Sequence, residues 1–148
     1  MLWRAYLAKH GKPWRSVRTI TEDDAAAVYW DEFWLPLRAG SIKSAPVAVM
    51  LFVFAANAGT SDAARMVQHV LNVDFGTNLV VDGSMGPKTV SVLNGLAKYA
   101  DGILAGLVHA QVEHYRKQAL LPGQAKWLRG WLARAMRGAV QAHGIGEK

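Results

Sequence analysis

Carboxyl groups are the first candidates for chemistry in this chain, which contains 11 acidic residues. Two of them could hydrolyse a glycosidic bond if they lay about 5–5.5 Å apart, for retention, or about 6.5–9.5 Å apart, for inversion. Glu32, Glu113 and Asp82 are the best placed, and each has an ordinary structural explanation. Glu32 fits a helix surface, Glu113 can pair with Lys117 one turn later, and Asp82 can bond the backbone of a turn. No catalytic residue is therefore assigned.

The other common catalytic and metal-binding patterns are missing from the sequence. His109 and His114 are separated by five positions, whereas metal-binding pairs on one helix are separated by about three or four. The chain has no cysteine, so it can form neither a thiolate site nor a disulfide. It contains no Gly-x-Ser-x-Gly motif and no glycine-rich phosphate loop. The sequence predicts no metal site and no cofactor.

Two amides and several indoles could bind a sugar. Asn57 ends a long apolar stretch, and Gln68 lies one predicted helix later. Each amide could either bond nearby backbone or line a binding cleft, and both interpretations are open. Trp34 is one of six tryptophans; a sugar ring can stack on an exposed indole, although buried Trp is more common. Trp127 and Trp131 are expected to pin the last helix to the rest of the fold.

Helical periodicity runs through nearly the whole chain and predicts an all-α bundle of six or seven helices. The first helix should cover residues 2–10, with Leu2, Ala5 and Tyr6 on its inner face. Thr21 and Asp24 have the spacing of a capping box for the second helix, which should end before Pro36. Further helices are predicted at residues 45–56, 60–71, 87–93, 99–121 and 124–143, followed by a frayed tail. The stretch 45–56 is apolar on almost every side and should be central, and Thr60 or Ser61 should cap the helix after it.

Residues 81–89, VDGSMGPKT, have the composition of a tight turn that leads into a helix. Gly83 can supply the positive φ that such a turn requires, and Pro87 suits the first turn of a helix. Within the predicted bundle we therefore expect one short loop or β-hairpin at residues 75–86.

The chain is basic, with a net charge of +6 in 148 residues. Residues 116–148 hold seven basic residues and one acidic residue. A basic end attracts polyanions such as nucleic acid, teichoic acid or anionic lipid headgroups, and Arg129, Arg134 and Arg137 are the candidate contacts. An ordinary solvated surface is the alternative explanation.

The composition fits a single globular domain over residues 1–148, with 51% apolar and 19% charged residues. The longest apolar stretch, residues 45–56, is shorter than the roughly 20 residues that a membrane helix needs. The first residues do not have the pattern of a signal peptide.

Four segments, in this order, resemble the phage-type N-acetylmuramidases of glycoside hydrolase family 108. They are YWDEFWLP, FAANAG with the Ala64 and Gln68 that follow it, VDGSMGPKT, and KWLRGWLAR. Members of this family are lysozyme-like proteins with a peptidoglycan-binding C-terminal half. The resemblance extends over nearly the whole chain and implies an all-α, lysozyme-like fold with peptidoglycan as its partner. It also implies that Asn57 and Gln68 contact the glycan, and we expect Asp82, in the adjoining turn, and Trp34 to contact it as well.

The chain differs from this family at positions that bear on muramidase activity. The catalytic Glu of the family belongs to a Glu-Gly-Gly segment near the N-terminus, and this chain contains no Glu-Gly pair and matches the family only beyond that point. Val53 stands where the family tends to carry an Asp. We therefore expect little or no muramidase activity from this chain.

A second hypothesis is a basic helical protein, structural or virion-associated, that binds nucleic acid or a protein partner. The chain has no recognisable nucleic-acid motif, which counts against this alternative. On the first hypothesis, the protein would stay in the cytoplasm until release, or sit in the virion, and act at the cell wall.

Overall fold

The computed structural model of the protein describes residues 2–146, without the side chains of residues 142, 143, 145 and 146. Seven α-helices and no strand occur in this part of the chain, which confirms the all-α prediction. The loop that follows the fourth helix is therefore irregular rather than a hairpin. The last two residues of the expected tail lie outside the described residues. The helices are α1 (Leu2–Lys9), α2 (Glu22–Tyr29), α3 (Ala45–Ala58), α4 (Thr60–Phe75), α5 (Pro87–Gly95), α6 (Ala100–Ala119) and α7 (Leu128–Gly146).

Helix α3 forms the centre of the bundle, as its apolar composition predicts. It packs against α4, α6 and α7, and Val47, Met50, Leu51 and Phe54 are at most 1% exposed. Burying each of these side chains is worth about 1.5–3 kcal/mol. The hydroxyl of Ser44 caps the helix by accepting a hydrogen bond from the Val47 N–H. None of the described helices has the length and hydropathy required to cross a bilayer.

A single glycine connects α3 to α4. Gly59 has a φ of 98° and donates its N–H to the Ala55 carbonyl, which closes α3. Helix α4 begins at the next residue, Thr60, and no side chain caps it. The expectation that Thr60 or Ser61 would cap α4 is wrong, because both residues already belong to the helix. Since no loop separates the two helices, the end of α3 lies directly beside the start of α4.

Helices α1 and α2 have a small core of their own, formed by Trp3, Tyr6, Leu7 and Val28. The predicted inner face of α1 was only partly right, because Leu2 is 43% exposed and Ala5 is exposed as well. Trp3 and Leu7 are the inner residues beside Tyr6.

The chain around α2 is ordered by local hydrogen bonds. Thr21 and Asp24 form the predicted capping box at its N-terminus. After Tyr29 the helix continues as a π-helical turn, Trp30–Trp34, before it ends ahead of Pro36. This turn contacts α3 and so joins the N-terminal helices to the main bundle.

Candidate functional site

The loop between α4 and α5 is held in place by one buried amide. Gln68 is 1% exposed. Its Nε2 donates to Asp82 Oδ1 at 2.9 Å, to the Ser84 carbonyl at 3.0 Å and to Thr89 Oγ1 at 3.2 Å. Its Oε1 accepts the Gly83 N–H at 3.1 Å. The structure thus places Gln68 behind the loop, where a glycan could reach it only if the loop moved.

Asp82 turns the chain at this loop. Its Oδ1 accepts the Ser84 N–H at 2.8 Å. The hydrogen bonds from Gln68 and from the Ser84 N–H hold the pKa of Asp82 below its usual range. The next residue, Gly83, has a φ of 79°, and a Cβ there would lie 2.5 Å from Ser61 Oγ. The glycine-containing motif is therefore a turn that packs tightly against α4, and Asp82 itself stays exposed.

Asn72 is a second clamp on the same loop, and sequence reasoning missed it. Its Nδ2 donates to the Leu79 carbonyl at 2.8 Å, and its Oδ1 accepts the Leu79 N–H at 2.8 Å. The same oxygen accepts the Thr77 hydroxyl at 2.7 Å. The available signal was the spacing of Gln68 and Asn72, one helical turn apart on the face of α4 that carries Leu71. Two amides at this spacing can satisfy the backbone of one adjoining loop.

Asn57 lies at an open groove at the end of α3. Its Nδ2 donates to the Val53 carbonyl at 2.7 Å. Its Oδ1 accepts a hydrogen bond from Arg134 Nη1 at 2.8 Å. Asn57 therefore bonds backbone, as one interpretation held, and it also lines a groove. The interpretation that this groove binds a ligand stays a prediction. Arg134 comes from α7, 77 positions later in the chain.

The groove beside this pair, here called the Asn57 groove, has a volume of about 320 Å³. This is at the lower end of the range of roughly 300–1,000 Å³ for ligand pockets. The ring of Trp131 stacks on Tyr115 with centroids 5.8 Å apart. Burial raises the pKa of Tyr115, and the nearby Arg134 guanidinium opposes this rise. The wall includes Asn57, Asp62, His114, Tyr115, Trp131 and Arg134.

A second groove, of about 580 Å³, brings the tryptophans of the π-helical turn next to the loop. Trp30 and Trp34 line it together with Ser84 and Gly86. Their rings stack with centroids 5.7 Å apart, and Trp30 is 52% exposed. Trp30 presents more free ring surface than the predicted Trp34, and it was not among the predicted site residues.

The predicted glycan contacts thus do not share one pocket. Asn57 and Trp34 line separate grooves. Gln68 is buried behind the loop that carries Asp82. Binding of a glycan by these four residues stays a prediction.

The remaining carboxylates that we considered for catalysis have structural partners. Glu32 accepts a hydrogen bond from Lys9 at 2.7 Å and so ties α1 to the π-helical turn. Glu113 pairs with Arg116 at 3.2 Å. The predicted pairing of Glu113 with Lys117 is therefore wrong. The i+3 and i+4 positions are both within reach on a helix, and here the arginine at i+3 takes the contact. Among the described residues, no three His, Asp or Glu side chains are grouped closely enough to hold a metal ion.

The two tryptophans at the start of the last helical segment, Trp127 and Trp131, lie in different environments. Trp131 packs against the main core as predicted. Trp127 lies in the 3₁₀ turn before α7, is 54% exposed and has its ring beside Lys126. The prediction that both indoles pin the helix is therefore wrong for Trp127.

The three arginines predicted to bind a polyanion do not form one cluster. Arg134 is engaged with Asn57, while Arg129 and Arg137 are exposed on α7. Residues five positions apart on a helix differ by about 140° around its axis, which separates Arg129 from Arg134. Arg134 therefore belongs to the Asn57 groove, and the other two belong to the outer surface.

The fold defines a class, an all-α domain of seven helices in the described part of the chain. Among solved structures the chain is similar to the structure of Brucella abortus SagA, with a TM-score of 0.79 and 22% sequence identity. The match covers 99% of this chain and 78% of that chain. At this identity the likeness shows the fold alone.

Comparison with protein families makes the assignment more specific. Residues 62–136, just over half of the chain, match the family described as "Predicted Peptidoglycan domain", and the chain belongs to this family. Residues 2–59 match the family described as glycosyl hydrolase 108. The suspected resemblance is thereby confirmed, and the two matches meet near Gly59, where α3 passes into α4. None of the curated proteins compared with the chain matches it.

Proposed function

We propose that this chain is the peptidoglycan-binding domain of a lysozyme-like cell-wall protein, and that it holds the glycan in the Asn57 groove. The observation that carries the proposal is the hydrogen-bonded pair of Asn57 and Arg134 beside the ring of Trp131. Amide and guanidinium groups can bond the hydroxyl, acetamido and carboxylate groups of amino sugars. An aromatic ring can cover the apolar face of a sugar.

We propose further that this polypeptide has little muramidase activity of its own. Glu32 and Glu113 are each engaged in an ion pair, and Asp82 is engaged in its turn. A positioned acid or base contributes about 10²- to 10⁴-fold to a reaction rate, so a domain in which these three carboxyl groups are engaged elsewhere should hydrolyse the glycan slowly. Clearing of a peptidoglycan suspension at a rate near that of a complete family member would contradict this proposal.

The proposed setting is the cell wall, reached from a virion or after release from the cytoplasm during phage or prophage lysis. The support for this setting is the resemblance to phage-type muramidases described above. A gene neighbourhood without any phage genes would argue against it.

Pull-down with purified sacculi tests the glycan site. Asn57→Ala and Arg134→Gln should each reduce the affinity about threefold to tenfold, which corresponds to losing a hydrogen bond worth about 0.5–1.5 kcal/mol. Arg129→Gln is the matched control for charge, because it removes the same charge from an exposed position on the same helix; the loss beyond that of Arg129→Gln measures the contact in the groove. Thermal melts should first show that all three variants are folded.

The same experiment can overturn the proposal. If Asn57→Ala leaves retention unchanged, and duplex DNA is retained more tightly than sacculi at matched salt, the glycan proposal is wrong. The nucleic-acid alternative would then replace it.

A further inference from the structure

A larger groove lies between α4 and α6, next to the Asn57 groove. This α4–α6 groove has a volume of about 650 Å³ and shares Asp62 and His114 with its neighbour. At the opposite end a Cβ on Gly106 would lie 2.5 Å from Asp74 Oδ2. The two helices therefore run antiparallel along the groove. Asp62 marks the end near the Asn57 groove, and Asp74 marks the far end.

The length of the groove suits a short peptide. Its α6 wall extends from Gly106 to Lys117, which corresponds to about 16 Å at a rise of about 1.5 Å per residue. An extended chain advances about 3.3–3.6 Å per residue. The groove can therefore hold about four to five residues of extended peptide.

Each end of the groove carries one charged side chain outside any ion pair of the described residues, Lys117 toward the Asn57 groove and Asp74 at the far end. The other charged residues at the near end are paired, Arg65 with Asp62 at 4.0 Å and Glu113 with Arg116 at 3.2 Å. Neither Lys117 nor Asp74 forms an ion pair with any other residue in the described part of the chain. Between them the groove has an apolar floor that includes the buried residues Phe54 and Val70. Such a surface fits a small peptide that carries both a carboxylate and an amino group.

We propose that the α4–α6 groove binds the peptide stem of peptidoglycan, which extends the proposed function from the glycan to its side chain. The stem is a short peptide with free carboxylates and alanine methyl groups, and its diamino acid carries an amino group. A stem carboxylate pairs with Lys117, and the amino group pairs with Asp74. The methyl groups lie on the apolar floor. A muramic sugar in the Asn57 groove places the start of its stem at the junction near Asp62 and His114.

NMR titration with a soluble stem tetrapeptide, free of sugar, tests this assignment. Shifted resonances should cluster on α4 and α6. Lys117→Gln and Asp74→Asn should each lower the affinity for the peptide by up to about fivefold, as expected for losing one partly exposed ion pair. Lys88→Gln is the matched control, because this exposed lysine on α5 lines none of the grooves. Equal effects of Lys117→Gln and Lys88→Gln would overturn the proposal.

Two further ligands separate this inference from the proposed glycan site. Sacculi stripped of their stems by an amidase test the glycan alone, and an uncharged alanine tetrapeptide tests whether charge selects the ligand. If stripped glycan binds with the expected sensitivity to Arg134→Gln while the stem shifts no resonances on α4 or α6, only the stem proposal is wrong. Equal affinity for the alanine peptide would also overturn it. Binding of the stem without binding of stripped glycan would support this groove and contradict the glycan site.

Discussion

Side-chain amides perform two different tasks in this protein, and their burial separates the two. Gln68 and Asn72 lie against the loop after α4, where they satisfy backbone groups that the turn would otherwise leave unpaired. Asn57 is exposed, and its oxygen accepts a hydrogen bond from the charged, half-buried side chain of Arg134. A ligand can compete for that bond at little cost, whereas displacing Gln68 would open the loop. The amide at Asn57 is therefore the one suited to recognition.

Replacing glycines with alanine should show how tightly the loop packs on α4. Gly11 and Gly83 both have a positive φ, but only Gly83 would place a Cβ within 3 Å of Ser61 and Arg65. Gly11→Ala should cost about 1–2 kcal/mol because of its backbone conformation alone. Gly83→Ala should cost more, because the Ser61 hydroxyl and the Arg65 guanidinium must also shift to admit the Cβ. Urea denaturation measures both free energies of unfolding, and equal losses would contradict the packing described here.

The turn carboxylate should make the protein sensitive to acid. The pKa of Asp82 is lower in the folded state than in the unfolded state, so the folded protein binds fewer protons near that pKa. The stability that the Asp82 carboxylate contributes is present above its unfolded pKa of about 3.9. It is lost as the pH falls through the lower pKa of the folded state. The stability difference between the wild type and Asp82→Asn should therefore shrink below about pH 4. Thermal melts across this range test it, with Asp101→Asn as a surface control, and a difference that is independent of pH would contradict it.

At the scale of elements, the absence of a loop between α3 and α4 determines where the grooves meet. Gly59 ends one helix and the next begins at Thr60, so Asn57 and Asp62 lie on consecutive helices at the same junction. Asp62 lines both the Asn57 groove and the α4–α6 groove. A longer connection would separate the two surfaces. The short connection is thus part of the proposed binding site.

The N-terminal helices should open more readily than the centre of the bundle. Helices α1 and α2 share a core of four buried residues, whereas α3 packs against three long helices. Local opening costs less where fewer apolar contacts are lost. In native-state hydrogen exchange, amides of α1 and α2 should exchange at least about tenfold faster than those of α3, which equals a difference of about 1.4 kcal/mol. Equal protection of both regions would show that they unfold as one unit.

At the scale of the whole molecule, the net charge of +6 should add a salt-sensitive part to binding. Exposed charges are screened beyond about 8 Å at physiological ionic strength. Retention on sacculi should therefore fall as salt rises, and the double variant Arg129→Gln, Arg137→Gln should flatten this dependence. Asn57→Ala should lower retention at every salt concentration without changing the slope. If instead Asn57→Ala flattened the salt dependence and the double variant left it unchanged, Arg129 and Arg137 would not be the source of the electrostatic attraction to sacculi.

The sequence alone was sufficient for features that depend on neighbouring residues. The capping box of Thr21 and Asp24, the apolar central helix and the turn at Gly83 follow from local hydrogen bonding, hydrophobic periodicity and backbone freedom. The family resemblance rests on such local segments as well, and it was confirmed.

Tertiary structure decided which side chains share a surface. The bond between Asn57 and Arg134 joins positions 77 residues apart, and it depends on how α7 packs against α3. The burial of Gln68, the exposure of Trp127 and the shared groove of Lys117 and Asp74 likewise result from the packing of whole helices. Helical periodicity places a residue on a face of its own helix, but the partner of that face is set by the packing of all the helices together. For this reason the sequence identified candidate residues, and only the fold showed which of them lie together.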